Sequence, residues 1–248
     1  MPENSSKEKI WFDELTMPEV EKAAKNGKVV IIPCGSIEEH GTHLPLCTDS
    51  IQAEYIAVEV AKKTKSLVAP PLRYGLCNST RNFPGTVTIS FDSLRSIMTD
   101  ILDDFVRNNL RRLIVITGHA GSSHMTAIRL AAKTVVNSHM NEKTKPRIMV
   151  CSDYDFAFDI KDEDIDERDS HAGTVETSRV MAIRPDLVNG KGVKNFPDMP
   201  RFEITPDPER YFPSGVMGDP TKASSEIGHT INKHIIEHIV KLVEELKQ

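Results

Sequence analysis

Apolar residues along the chain fall into two patterns. Short continuous runs occur at Lys28 to Pro33, Leu67-Val68-Ala69, Arg112 to Thr117 and Arg147 to Cys151. Their length and β-branched content predict buried strands. Between them, apolar residues recur at helical spacing. Thr16-Met17-Pro18-Glu19 reads as a helix start, with Thr16 as cap and a stop near Gly27. Asp49 or Ser50 caps a second helix through Ile51, Ala53, Ile56, Ala57 and Val60, and Asp92 or Ser93 starts a third through Leu94, Ile97, Leu102 and Phe105 to about Asn109. A fourth runs from Met125 to about Asn137, a fifth ends before Pro185, and the last begins at Ser224 or Ser225 and carries Ile227, Ile231, Ile235, Ile239, Leu242 and Leu246 on one side. Thr86-Val87-Thr88-Ile89-Ser90 alternates and predicts a strand or edge hairpin.

Strands alternating with helices predict an α/β fold, a three-layer α/β/α sandwich whose mainly parallel sheet has helices on both faces. We expect a loose tail over residues 1–10 and a single domain over 11–248. Residues 186–220 are rich in Pro, Gly and Asp, with little periodicity, and read as a lid or an oligomer contact.

Composition narrows the function. A net charge of −5 leaves no basic footprint, so nucleic acid is not an expected partner. No apolar run approaches the ~18 residues of a membrane span. The polar N-terminus lacks the apolar core of a signal peptide. Cys34, Cys47, Cys77 and Cys151 form no CxxC pair, which argues against a structural zinc and fits a reducing cytoplasm.

Chemistry concentrates in the loop after the first strand, Cys34 to Asp49. It contains Glu38, His40, His43 and Asp49, interleaved with Gly35, Gly41 and Pro45. Carboxylate oxygens beside imidazole nitrogens are what a divalent transition metal requires. Glu38 and His40, two apart, point the same way on an extended backbone and can grip one ion or two neighbouring ions, while Asp49 has two oxygens with which to bridge. The third strand runs into Gly118-His119-Ala120-Gly121-Ser122-Ser123-His124, which lacks the lysine of a P-loop and does not match GxGxxG. Small residues there leave His119 projecting as a further ligand. His171 and Glu176 are five apart at a loop–helix junction and can face one pocket, although Glu176 alone is equally an N-terminal helix charge. The run Asp162 to Glu167 reads as a solvated face. His234 and His238 have i,i+4 metal spacing on the last helix but no carboxylate partner in sight, and read as surface residues.

Five ordered blocks resemble the creatininase family of metal-dependent amidohydrolases. They are Gly35-Ser36-Ile37-Glu38-Glu39-His40-Gly41-Thr42-His43-Leu44-Pro45 with Asp49, Phe83-Pro84-Gly85-Thr86, Thr117-Gly118-His119-Ala120-Gly121, His171-Ala172-Gly173 with Glu176-Thr177-Ser178, and Gly218-Asp219-Pro220. The blocks run from Gly35 to Pro220, and the resemblance covers most of the chain from about residue 10 to 240. The resemblance implies a two-metal hydrolase on an α/β/α fold, often hexameric. It places Glu38 and His119 on one metal and His40 on the other, with Asp49 bridging and His171 as the acid that protonates the leaving nitrogen. In the creatinine-hydrolysing members a metal-binding glutamate stands two residues after the histidine of the third block. Here that position is Gly121, and Glu176 is the carboxylate available instead, as a ligand or through an outer hydrogen bond. Thr117 stands where Asn is usual. Those members also enclose creatinine with tryptophans, whereas the only Trp here is Trp11 and the matching region offers Tyr154, Phe156 and Phe158. His43, Gly121 and Tyr154 are the expected substrate contacts, and His171 and Glu176 the expected catalytic pair.

The expected cofactors are two divalent ions per chain, with Zn, Mn and Fe(II) all compatible with mixed N/O ligands. The expected substrate is a small, open-chain or cyclic amide, and the expected partner a second copy of the chain in a cytoplasmic homo-oligomer. Two alternatives share the family: deformylation of a formamidopyrimidine nucleotide, for which Arg73 or Arg81 would hold phosphate, and ring opening of an oxidised sugar or cyclitol. A non-catalytic ligand-binding module is the contrasting class.

Overall fold

The computed structural model describes residues 9–160, 162–200 and 202–248, so most of the expected N-terminal tail lies outside the described residues. Four strands form one sheet in the order β2-β1-β3-β4: β1 (Val29–Cys34), β2 (Leu67–Val68), β3 (Arg112–Thr117) and β4 (Arg147–Ser152). Every pairing is parallel, and the β1–β3 register sets Cys34 opposite Thr117. The carboxyl ends of the two central strands therefore lie side by side.

Among the described residues seven α-helices cover the two faces: α1 (Met17–Lys25), α2 (Thr48–Thr64), α3 (Phe91–Arg107), α4 (Ser122–Ser138), α5 (Tyr154–Ala157), α6 (Thr174–Ile183) and α7 (Ser225–Lys247). Side chains alternate across the strands. Val30, Ile32, Leu113 and Val115 pack with Leu94, Met98, Leu102, Ile128 and Val135 of α3 and α4. Val29, Ile31, Ile114 and Ile116 pack with Ile56, Val60, Val175, Ile235 and Ile239 of α2, α6 and α7. Both faces are thus covered, which is why all six residues of β1 are buried and its sequence shows no polar alternation.

Local signals explain most boundaries. Thr16 and Glu19 form a reciprocal capping box at the start of α1. The Ser90 hydroxyl accepts from Ser93 N–H at 3.1 Å, so α3 begins at Phe91, ahead of the expected Asp92 or Ser93. Helix α2 begins at Thr48, and Asp49 sits in its first turn rather than capping it. Helix α4 begins at Ser122, three residues before the expected start, which places His124 inside the helix and buries it.

The strand expected at Thr86–Ser90 is absent. Val87 forms a single bridge to Ile37, and Ile89 N–H donates to Gly75 O at 3.0 Å. These donors reach loop carbonyls above the sheet, and Val87 is 48% exposed, so the alternation does not mark a core face. The 186–220 region is irregular, as expected. It folds back over the strand ends, with Asn189 N–H on His43 O at 2.8 Å and Met217 N–H on His171 O at 2.8 Å.

Candidate metal centre

The loop from β1 into α2 carries Glu38, His40 and Asp49, the turn after β3 carries His119, and the junction into α6 carries His171 and Glu176. The fold brings these six to the carboxyl ends of β1 and β3, where open α/β sheets place ligands. Glu38, His40 and Asp49 are at most 2% exposed.

Two sets of donors converge there, and the hydrogen bonds fix their tautomers. His40 Nδ1 lies 3.1 Å from Glu38 O, a carbonyl that can only accept, so Nδ1 carries the proton and Nε2 the lone pair. That lone pair faces Asp49 Oδ1 at 3.1 Å and Glu176 Oε2 at 3.4 Å and has no hydrogen-bond partner among the described residues. His119 Nε2 likewise donates to Leu76 O at 3.0 Å, leaving Nδ1 facing Glu38 Oε2 at 2.9 Å and Asp49 Oδ2 at 3.1 Å. Each set is three acceptors pointing at one another, and Asp49 gives one oxygen to each. Ser36 Oγ and Ala172 N–H each supply one donor to these oxygens, but His40 Nε2 has none, and the facing lone pairs and carboxylate charges buried together favour a cation. The residues therefore fit a divalent metal centre by their own chemistry.

Charge effects agree. Burial opposes a charged His40, yet the Asp49 and Glu176 carboxylates prevail and raise it to about 10. Burial is likewise outweighed at His119, which the Glu38 and Asp49 carboxylates hold well above its ordinary value. Glu38, despite burial, is lowered to about 2 by His119. Protons bound here occupy the place of a stronger cation. Cys77 also reaches Glu38 and His119, but burial pushes its thiol up to about 12, so it is neutral near pH 7.

Residues around the two sets hold them in place. Ser36 Oγ donates to Asp49 Oδ2 and Thr80 Oγ1 to Glu38 Oε1. Glu176 Oε2 accepts from Ala172 N–H at 2.5 Å. Ala172 has φ +52°, in the left-handed region rarely used by non-glycine residues, so backbone strain sits between His171 and the start of α6. Asp169 accepts from Thr174 and Val175 N–H and caps that helix from outside it. Gly118 is required by contact, since a Cβ there would lie 2.1 Å from Asp49 O. Thr117, in the place of the family's Asn, accepts from His119 N–H at 3.1 Å and donates to His119 O at 2.9 Å, tying off that turn.

His171 lies against His40, with ring centroids 4.3 Å apart and planes tilted by 38°. Its Nε2 donates to Glu39 O at 2.8 Å and lies 3.1 Å from Glu39 Oε1, which leaves Nδ1 free of that anchor. Burial and the His40 charge lower the His171 pKa, but the Glu39 hydrogen bond and the Glu38 and Glu176 charges reverse this and raise it. Sequence reasoning missed Glu39. Its partner lies 132 residues away, and no local pattern marks it.

A cavity of about 230 Å³ opens onto the centre, walled by Gly121, Tyr154, Phe158 and Met217. Gly121 and Tyr154, two of the expected substrate contacts, thus line this cavity. His43 does not line the cavity. It is buried, with Nε2 2.8 Å from Thr177 Oγ1. Trp11 bridges to Val68 at the sheet edge and is not in the cavity wall. Arg73 pairs with Glu54 at 2.6 Å, and Arg81 lines a different cavity with Asn78 and Ser90.

Comparison with known proteins identifies the chain as a hydrolase of carbon–nitrogen bonds. The family model described as creatinine amidohydrolase matches residues 13–243, and the chain belongs to this family, the creatininases. It is 27% identical to the creatinine amidohydrolase of Pseudomonas putida, over 95% of this chain and 96% of that one. It is 29% identical to a mycofactocin precursor peptide peptidase of Mycolicibacterium smegmatis (82% and 79% covered) and 24% identical to a 3-dehydro-scyllo-inosose hydrolase of Thermotoga maritima (96% and 84% covered). Among solved structures, a mutant creatininase of Zn-Zn type superposes with a TM-score of 0.86 at 26% identity, covering 96% of this chain and 98% of that one.

Proposed function

We propose that this chain is a two-metal amidohydrolase that cleaves the C–N bond of a small, open-chain or cyclic amide with a metal-activated water. The observation that carries this reading is Asp49, whose two oxygens are divided between His40 and His119, each histidine backed by a second carboxylate. In this reading Glu38 and His119 would hold one ion and His40 and Glu176 the other, with Asp49 shared between them. Glu176 replaces the carboxylate that Gly121 does not supply. The solved Zn-Zn relative supports zinc, with manganese and Fe(II) the other metals this N/O set accepts. Bound there, the ions would lower the pKa of a shared water and polarise the scissile carbonyl.

The protein's own groups do the rest. His171 holds the proton for the leaving nitrogen, with Nε2 anchored to Glu39 and Nδ1 left to deliver it. Glu39 thereby sets both the orientation and the proton affinity of the ring. Tyr154, Phe158 and Met217 give the cavity an apolar wall that limits water, and Gly121 leaves room where a side chain would crowd His119. An aromatic wall without tryptophan points away from creatinine itself. The placement of Arg73 and Arg81 away from the cavity points away from a nucleotide. We further assign the enzyme to the cytoplasm as a homo-oligomer, a hexamer by family resemblance.

The test is an amide panel assayed with added Zn²⁺ or Mn²⁺ against wild type, His40→Ala and Asp49→Ala, with circular dichroism confirming that each variant folds. We expect turnover in the wild type and a loss of at least about a thousandfold in both variants, as removal of a metal-held nucleophile demands. Full activity in either variant overturns the proposal.

A further inference from the structure

We propose that Asp159, His234 and His238 form a second, separate site for a divalent transition-metal ion, on the side of the molecule where the chain following α5 meets α7. His234 and His238 are four apart on α7, so one helical turn brings both imidazoles to the same face. Their ring centroids are 4.2 Å apart. The carboxylate that the sequence did not disclose comes from 75 residues upstream. One ligand atom from each of the three residues lies within 4.8 Å of the other two, a span that one ion can bridge.

Three details favour a metal over a plain ion pair. First, His234 Nε2 is buried as an atom and has no hydrogen-bond partner among the described residues, and Asp159 Oδ2 stands 3.6 Å away, beyond hydrogen-bond reach. Second, His238 Nδ1 donates to the His234 carbonyl at 3.0 Å, which fixes the tautomer and leaves Nε2 as the lone-pair nitrogen. A metal-ligating histidine is commonly held through its other nitrogen in this way. Third, Phe156 stacks on His238, with centroids 5.3 Å apart and planes at 23°, and so orients the ring. Two imidazoles and one carboxylate suit Zn, Ni or Cu rather than Mg or Ca. Asp159 is exposed and His234 partly so, which leaves room for water to complete the coordination.

This site shares no residue with the catalytic centre and does not depend on the reading of that centre. It has one connection to it. Phe158, in the cavity wall, lies between Phe156 and Asp159, which are the aromatic support and the proposed ligand. An ion held by Asp159, His234 and His238 would fasten this segment to α7 and fix that wall.

Equilibrium dialysis against Zn²⁺, followed by plasma mass spectrometry of the folded protein, tests the proposal. Wild type, His234→Ala/His238→Ala and His229→Ala are compared, since His229 is exposed on the same helix but belongs to no such cluster. The double variant is expected to hold one ion fewer per chain than wild type, and His229→Ala the same number. The same one-ion difference should persist in an Asp49→Ala background, which separates this site from the catalytic one. Equal counts in wild type and the double variant, or an equal loss in His229→Ala, overturn the proposal.

Discussion

Arg179 and Asp153 make a buried ion pair behind the proposed metal centre, and its removal gives a defined expectation. Arg179 Nη2 lies 2.5 Å from Asp153 Oδ2 with both side chains fully buried, and its Nε donates to Asn232 Oδ1 at 2.9 Å. The guanidinium also sits 4.9 Å over the Tyr154 ring, so the pair supports a cavity wall. Arg179→Met keeps most of the stem's volume and removes the charge. Asp153 is then buried without a cation, at a cost of ~3–5 kcal/mol. For a chain of this size that corresponds to a melting temperature lower by about 6–20 °C. Asp153→Asn in the same chain removes the orphaned charge and should recover at least half of the loss.

The pH dependence has a definite sign. Burial already raises the Asp153 pKa even with Arg179 beside it. Without Arg179 it rises further, so the folded variant binds a proton that the unfolded chain releases. Stability of Arg179→Met should therefore increase as pH falls from 8 toward 5, and its deficit should narrow. Urea unfolding of wild type, both single variants and the double, with and without Zn²⁺, reads all of this. A single-variant cost below about 1 kcal/mol would refute the reasoning, because Asp153 would then be neutral in the wild type and Arg179 would compensate nothing.

Two further expectations follow from the site. Glu39→Gln removes the carboxylate whose hydrogen bond is the first of the contacts that raise the His171 pKa, so the alkaline limb of the pH–rate profile should move to lower pH; an unmoved limb would mean that His171 is not the titrating acid. His124 is lowered to about 3, first by burial and then by the His119 charge, so the fold contains it neutral. The unfolded chain takes up that proton first, so stability should be lost as pH falls below about 6.5, and His124→Gln should flatten that loss in acid melts.

The features legible in the sequence were those encoded locally. The apolar runs that became β1, β3 and β4 carried their own length and composition, and Glu38, His40 and Asp49 lay within twelve residues of one another in a loop that no helix or strand would accept. The alternation at Thr86–Ser90 misled because period two marks a strand only when a partner strand is available, and here the neighbours are loop carbonyls. Glu39 and the Asp153–Arg179 pair escaped notice for a different reason. Each is defined by a contact across 132 or 26 residues, and a single charged residue in isolation reads as solvated. Asp159 escaped in the same way, and with it the partner that His234 and His238 lacked on paper.

In the proposed centre Asp49 joins two metal ions. Metal content per chain, measured by plasma mass spectrometry on protein purified without chelators, tests it most directly when wild type is set beside Asp49→Ala. Wild type should hold about two more ions per chain than the variant. Equal content in the two proteins, with Zn²⁺, Mn²⁺ or Fe(II) unable to raise the wild type above the variant, would contradict it.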